Sequence, residues 1–80
     1  MSKYLRELFK EKKISDNNYV TALILLKKLD KEFSTRGMVL VEAAMSMGFK
    51  KRAARRLVEM LIHEGLVERR AWGLLRTEKD

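Results

Sequence analysis

Seven of the eight residues from Tyr19 to Leu26 are apolar, Thr21 being the exception, and Leu29 and Phe33 extend the series before Ser34-Thr35-Arg36-Gly37 interrupts it. A helix of this composition is apolar over a wider arc than one core-facing stripe requires. The surplus surface must be covered. Two covers are available: an N-terminal helix of the same chain, where Tyr4, Leu5, Leu8 and Phe9 recur at helical spacing, and the equivalent surface of a second copy. Both are expected to contribute, with Tyr4, Leu5, Leu8, Phe9, Ile24 and Leu25 forming a homodimer interface. Ser15 and Asp16 offer capping oxygens at the start of the apolar helix. The spacing predicts an N-terminal helix within 1–15 and a long helix over 16–34.

Eighty residues with 46% apolar content allow one domain with one core. Lys and Arg number 18 against 11 Asp and Glu, and the net charge of +7 gives the molecule a field that concentrates polyanions. The absence of cysteine excludes disulfides, thiolate metal sites and a thiol nucleophile, and the one histidine, His63, cannot build a metal site alone. No apolar run approaches the ~20 residues of a membrane span, and the N-terminus does not resemble a secretion signal. A soluble cytoplasmic protein with no metal, no cofactor and no membrane partner is expected.

Beyond Gly37, Met38-Val39 reads as a short edge strand and Leu40 to Met47 as a brief helix with Val41, Ala44 and Met45 towards the core. Gly48 ends that helix and Phe49 anchors the turn. Lys50 to Glu64 forms the next helix, closed by Gly65 in the position that favours a left-handed residue. Leu66 to Arg70 and Leu74 to Thr77 then read as strands flanking Ala71-Trp72-Gly73, with a glycine suited to a tight hairpin. The fold class is α+β, mainly α.

Five of the seven residues from Lys50 to Arg56 are cations: Lys50, Lys51, Arg52, Arg55 and Arg56. The first acid is Glu59. Such a cluster near a helix N-terminus opposes the macrodipole and forgoes the mixed-sign pairs of an ordinary solvated face, which suggests an anionic partner that offsets the cost. At about 100° per residue, Ala54, Leu57, Val58, Leu61 and Ile62 share one side, and Arg52, Arg56, Glu59 and His63 lie opposite. An α-helix fits the major groove, and the N-terminal part of a recognition helix approaches base edges. Arg52, Ala53, Arg55 and Arg56 are the candidate base contacts, and Arg36, Lys50, Lys51, Arg69, Arg70 and Arg76 the candidate phosphate contacts. The hairpin arginines have an equal alternative use in pairing with Glu68 or Glu78, and Trp72 either meets nucleic acid at the hairpin tip or folds back over Leu74. His63 near a helix C-terminus needs no role beyond the dipole, and Met38, Met45, Met47 and Met60 read as core or interface filling.

Residues 37–79 resemble the winged helix-turn-helix domains of prokaryotic transcription regulators. Ala44, Gly48, Ala54 and Leu57 stand where that motif takes a small crossing residue, a turn glycine and core residues. The run from Leu61 to Arg70 is similar to its passage from recognition helix to first wing strand, and Leu74 to Lys79 to the returning strand of MarR-like members. Leu40 replaces the usual Ser or Thr cap, so the helix is expected to start by another route from Gly37. The C-terminal dimerisation helices of MarR proteins have no counterpart here, so a dimer must use residues 1–33. The resemblance implies a winged helix with an extra N-terminal helix, a helix-turn-helix over 37–65 and a wing over 66–77.

No enzymatic constellation is present, since the acids are scattered among cations and there is no glycine-rich phosphate loop. The expected function is sequence-specific binding of double-stranded DNA by a homodimeric transcriptional regulator, with half-sites one or more helical turns apart. Two rivals compete: a sequence-tolerant binder in chromatin organisation or replication, and a winged-helix protein-interaction module.

Overall fold

The computed structural model describes residues 3–77. Along the chain come helices α1 (Lys3–Lys10), α2 (Asp16–Lys27), α3 (Gly37–Ser46) and α4 (Lys51–His63), then an antiparallel hairpin of β1 (Val67–Arg70) and β2 (Gly73–Arg76). The architecture is α+β and mainly helical.

Each helix end has a local cause. Ser15 caps α2, its hydroxyl accepting from the Asn18 N–H at 3.3 Å. α3 and α4 end on left-handed glycines, Gly48 (φ 102°) and Gly65 (φ 78°). In each case the two residues after the cap donate back into the last turn: Gly48 to Met45 and Phe49 to Ala44, then Gly65 to Ile62 and Leu66 to Leu61. α1 ends by the same geometry without a glycine. Lys12 sits at φ 60°, its N–H bonds the Phe9 carbonyl at 3.0 Å, and Lys13 bonds that of Leu8 at 2.9 Å.

The wide apolar arc of α2 is covered from within the chain. Leu5 and Leu25 are fully buried and Leu8 nearly so, while Phe9 stacks on Tyr19 with ring centroids 4.4 Å apart. Assigning Leu5, Leu8 and Leu25 to a dimer interface is therefore corrected, because so short a chain needs these side chains for its own core. Of the other three residues, Tyr4 donates its hydroxyl to Glu64 Oε1, which holds the phenol above its usual pKa. Phe9 is half-buried, and Ile24 is exposed one turn from exposed Val20. The core continues through Leu40 and Ala44 of α3 and Ala54, Leu57, Val58 and Leu61 of α4, and Leu66, Val67 and Leu74 close it.

Two other expectations are corrected. α2 stops at Lys27 instead of reaching residue 34. Asp30 competes with helix continuation: its carboxylate accepts from the Glu32 N–H at 2.7 Å and the Phe33 N–H at 3.2 Å, which holds the carboxyl below its usual range and leaves Phe33 71% exposed. Met38 and Val39 belong to α3, not to a strand. That helix starts at Gly37, with the Arg36 carbonyl accepting from the Val39 N–H at 3.0 Å. Its phase turns Leu40 and Ala44 inward, leaves Val41 half-buried and exposes Met45. Met38 and Met47 are exposed as well, so of the four internal methionines only Met60 packs against the core.

The strand partner before α3 is Thr35. It exchanges two hydrogen bonds with Leu74, each 2.7 Å, and Arg76 donates to the Asp30 carbonyl at 2.9 Å. β2 thus lies between β1 and the Asp30–Thr35 segment. Gly73 is required at this junction. A Cβ there would stand 2.6 Å from the Thr35 carbonyl oxygen, and its φ is 147°.

Candidate nucleic-acid interface

The spacing of Ala54, Leu57, Val58 and Leu61 turns one side of α4 into the core, so Lys51, Arg52, Ala53, Arg55 and Arg56 all face outward and are exposed. The helix starts at Lys51, and Lys50 occupies the N-cap with φ −74° and ψ 155° but no side-chain cap bond. Arg36 holds the equivalent place before α3, again without a cap bond. Two consecutive helices therefore begin with a cation where Ser, Asp or Asn would stabilise them, leaving first-turn N–H groups for another acceptor. The signal is legible before α3, where a cap residue is missing; before α4 it is hidden, because Lys50 continues the basic run of the helix.

Glu59, the first acid after the cluster, is engaged by the hairpin, Arg69 Nη2 lying 2.8 Å from its Oε1. Strand register explains the contact. Val67 pairs with Arg76 and Arg69 with Leu74, so these four side chains share the face that buries Val67 and Leu74. Arg69 therefore reaches α4, while Glu68 and Arg70 project from the opposite face and pair with each other at 3.2 Å. Of the alternative pairings for the hairpin arginines, the one with Glu68 forms, made by Arg70 along the strand and not across it, Arg69 turns to the helix instead, and Glu78 lies outside the described residues. Exposed pairs of this kind contribute about 0–1 kcal/mol and exchange readily for phosphate. Arg76 is half-buried.

Two hollows adjoin the basic face of α4. A shallow one of about 490 Å³ is lined by Lys51, Arg52, Arg55, Arg56 and Glu59. A larger open cleft of about 910 Å³ lies between α3, α4 and the hairpin, with Met38, Val41 and Met45 on one wall, Val58 and Ile62 opposite, and Lys51 and Arg55 in its lining. Trp72 is 87% exposed in the two-residue connection between Arg70 and Gly73. Its folding back over Leu74 is thereby overturned; Leu74 is buried beneath other residues.

The geometry joins the candidates Lys50, Lys51, Arg52, Ala53, Arg55 and Arg56 on one helix and brings Arg69 against it. Arg36 lies on another element, at the N-cap of α3. Among the described residues no helix is long and apolar enough to cross a membrane. No family model, curated protein or solved structure matches the chain.

Proposed function

We propose that this protein binds double-stranded DNA as a winged helix-turn-helix module and acts as a sequence-specific transcriptional regulator, the N-terminal half of α4 entering the major groove with the hairpin beside it as the wing. The observation that carries the reading is the outer face of α4, where Lys51, Arg52, Arg55 and Arg56 are exposed and the one acid of that helix, Glu59, is already paired with Arg69. The order α3, Gly48 turn, α4, hairpin, with Thr35 bonded to β2, supports the winged-helix assignment. A helix ~10–12 Å across fits a groove ~12 Å wide, and guanidinium groups on its first turns suit guanine O6 and N7.

Titration of a labelled random duplex at several salt concentrations tests this reading. With about five phosphate contacts the log affinity falls against log salt with a slope near −4.5. Failure to bind any duplex at low salt removes the proposal. A sequence selected from a random pool is expected to outcompete random duplex by at least about a thousandfold, and equal competition would reduce the protein to a sequence-tolerant binder. Arg52→Ala or Arg56→Ala is expected to relax base preference and cost about 1–3 kcal/mol. A homodimer belongs to this proposal only through Tyr4, Val20 and Ile24, the apolar side chains that α1 and α2 still expose. Sedimentation at a single 9.4 kDa mass across concentrations would strike it out.

A further inference from the structure

Trp72 is the one tryptophan of the chain and, at 87%, the most exposed large hydrophobic side chain among the described residues. An indole normally contributes a large apolar area to a core or interface. Here the fold prevents it from doing so. The connection between the strands is two residues long, and its other member, Ala71, is exposed and too small to cover a ring. The hairpin cannot tilt to bring the tip down, because Gly73 lies tight against the Thr35 carbonyl and Leu74 is bonded to Thr35 in both directions. From the other side, Arg69 ties β1 to Glu59 of α4. The indole is thus carried on a braced stalk that moves with the basic helix, with the Arg70 guanidinium on the same hairpin.

A flat aromatic face held in water on a hairpin that also carries Arg69 and Arg70 suits a nucleobase, since base–aromatic stacking tolerates every base. Bases inside a continuous duplex have both faces covered by their neighbours. Away from duplex ends, a free face exists where stacking is interrupted, at a bulge, gap or junction with unpaired DNA. We infer that Trp72 stacks on an unpaired base while α4 holds the adjoining duplex, so that the protein recognises interruptions in double-stranded DNA. This rests on the duplex-binding reading of α4 and adds a preference which that reading does not contain.

The test compares three labelled duplexes of one sequence: continuous, carrying a central bulge of three adenines, and carrying the same bulge with abasic residues. The two bulged duplexes share backbone length and charge and differ in the presence of the bases. The expected result is binding to the adenine bulge about five- to a hundredfold tighter than to the abasic bulge, with quenching of the single tryptophan's emission on the adenine bulge alone. Trp72→Ala should abolish the difference between the two bulged duplexes, and Trp72→Phe should retain part of it. Equal affinity for the two bulges overturns the inference. So does equal quenching by the continuous duplex, which would make Trp72 a groove contact. Both results leave duplex binding intact, whereas loss of binding to all three duplexes removes the underlying reading together with this one.

Discussion

Replacing Lys50 by Ser is expected to stabilise the protein and, on the proposed reading, to weaken DNA binding in the same stroke. The N-cap of α2 shows why. Ser15 has φ −73° and ψ 162° and accepts from the N–H three residues on, and Lys50 before α4 has nearly the same backbone, φ −74° and ψ 155°, with no cap bond. A serine hydroxyl at position 50 would reach the Ala53 N–H without rearrangement. The new cap is worth about 1 kcal/mol, and removing a cation from the positive end of the helix dipole adds about 0.3–1 kcal/mol. A gain of about 1.5 kcal/mol corresponds to a rise in Tm of roughly 6–12 °C for a domain of this size. On the DNA side one phosphate contact is lost, and the salt slope should fall from near −4.5 to about −3.6. Circular dichroism melts read the first effect and fluorescence anisotropy at several salt concentrations the second. Lys50→Ala is the control, since it removes the charge without supplying a strong cap; it should lower the salt slope and gain far less stability. An unchanged or lower Tm for Lys50→Ser would refute the uncapped start of α4. A raised Tm with an unchanged slope would remove Lys50 from the phosphate contacts and weaken the idea that stability is given up here for binding.

Gly73→Ala should destabilise the fold by about 2–4 kcal/mol, because the added methyl meets the Thr35 carbonyl and the residue must hold an unfavourable φ; an unshifted urea midpoint would refute the close approach. Lys12→Gly should stabilise by about 0.5–1 kcal/mol, since the left-handed backbone at φ 60° costs lysine more than the added chain entropy costs glycine. Denaturant unfolding checks the sign. The Asp30 carboxyl is held below its ordinary value of 3.8 by the Glu32 and Phe33 N–H groups, so its contribution is fully present above that pH and disappears as pH falls through the lowered value. The stability difference between the native chain and Asp30→Ala should therefore be largest near neutrality and shrink in acid, and an equal difference at both would contradict the turn's dependence on the ionised form.

Much of the site was legible from spacing. The apolar side of α4 is written at three- and four-residue intervals from Ala54 to Leu61, and a face so defined leaves the arginines a single direction to point. Gly48 and Gly65 stand where left-handed residues close a helix, and the hairpin follows from two short runs around a turn. What the pattern misjudged were competitions decided by single side chains. Asp30 ended α2 through two hydrogen bonds that helix propensity does not register. Gly37 set the start of α3, and its phase kept Ala44 inward but exchanged Met45 for Leu40 in the core.

The amino-acid sequence by itself determined the helices of α1, α2 and α4, the hairpin and the basic run on α4, because these depend on periodicity and on residues that break it. Only the tertiary structure decided where surfaces went. The same apolar stripe of Leu5 and Leu8 serves equally a second copy or the chain's own α2, and proximity within one chain resolved the choice towards the core. The bond from Thr35 to Leu74 and the pair of Arg69 with Glu59 join residues that local pattern cannot relate, and together they brace the hairpin that holds Trp72 in the open. Periodicity reports which face of an element is apolar. What that face meets is settled by the packing of the whole chain.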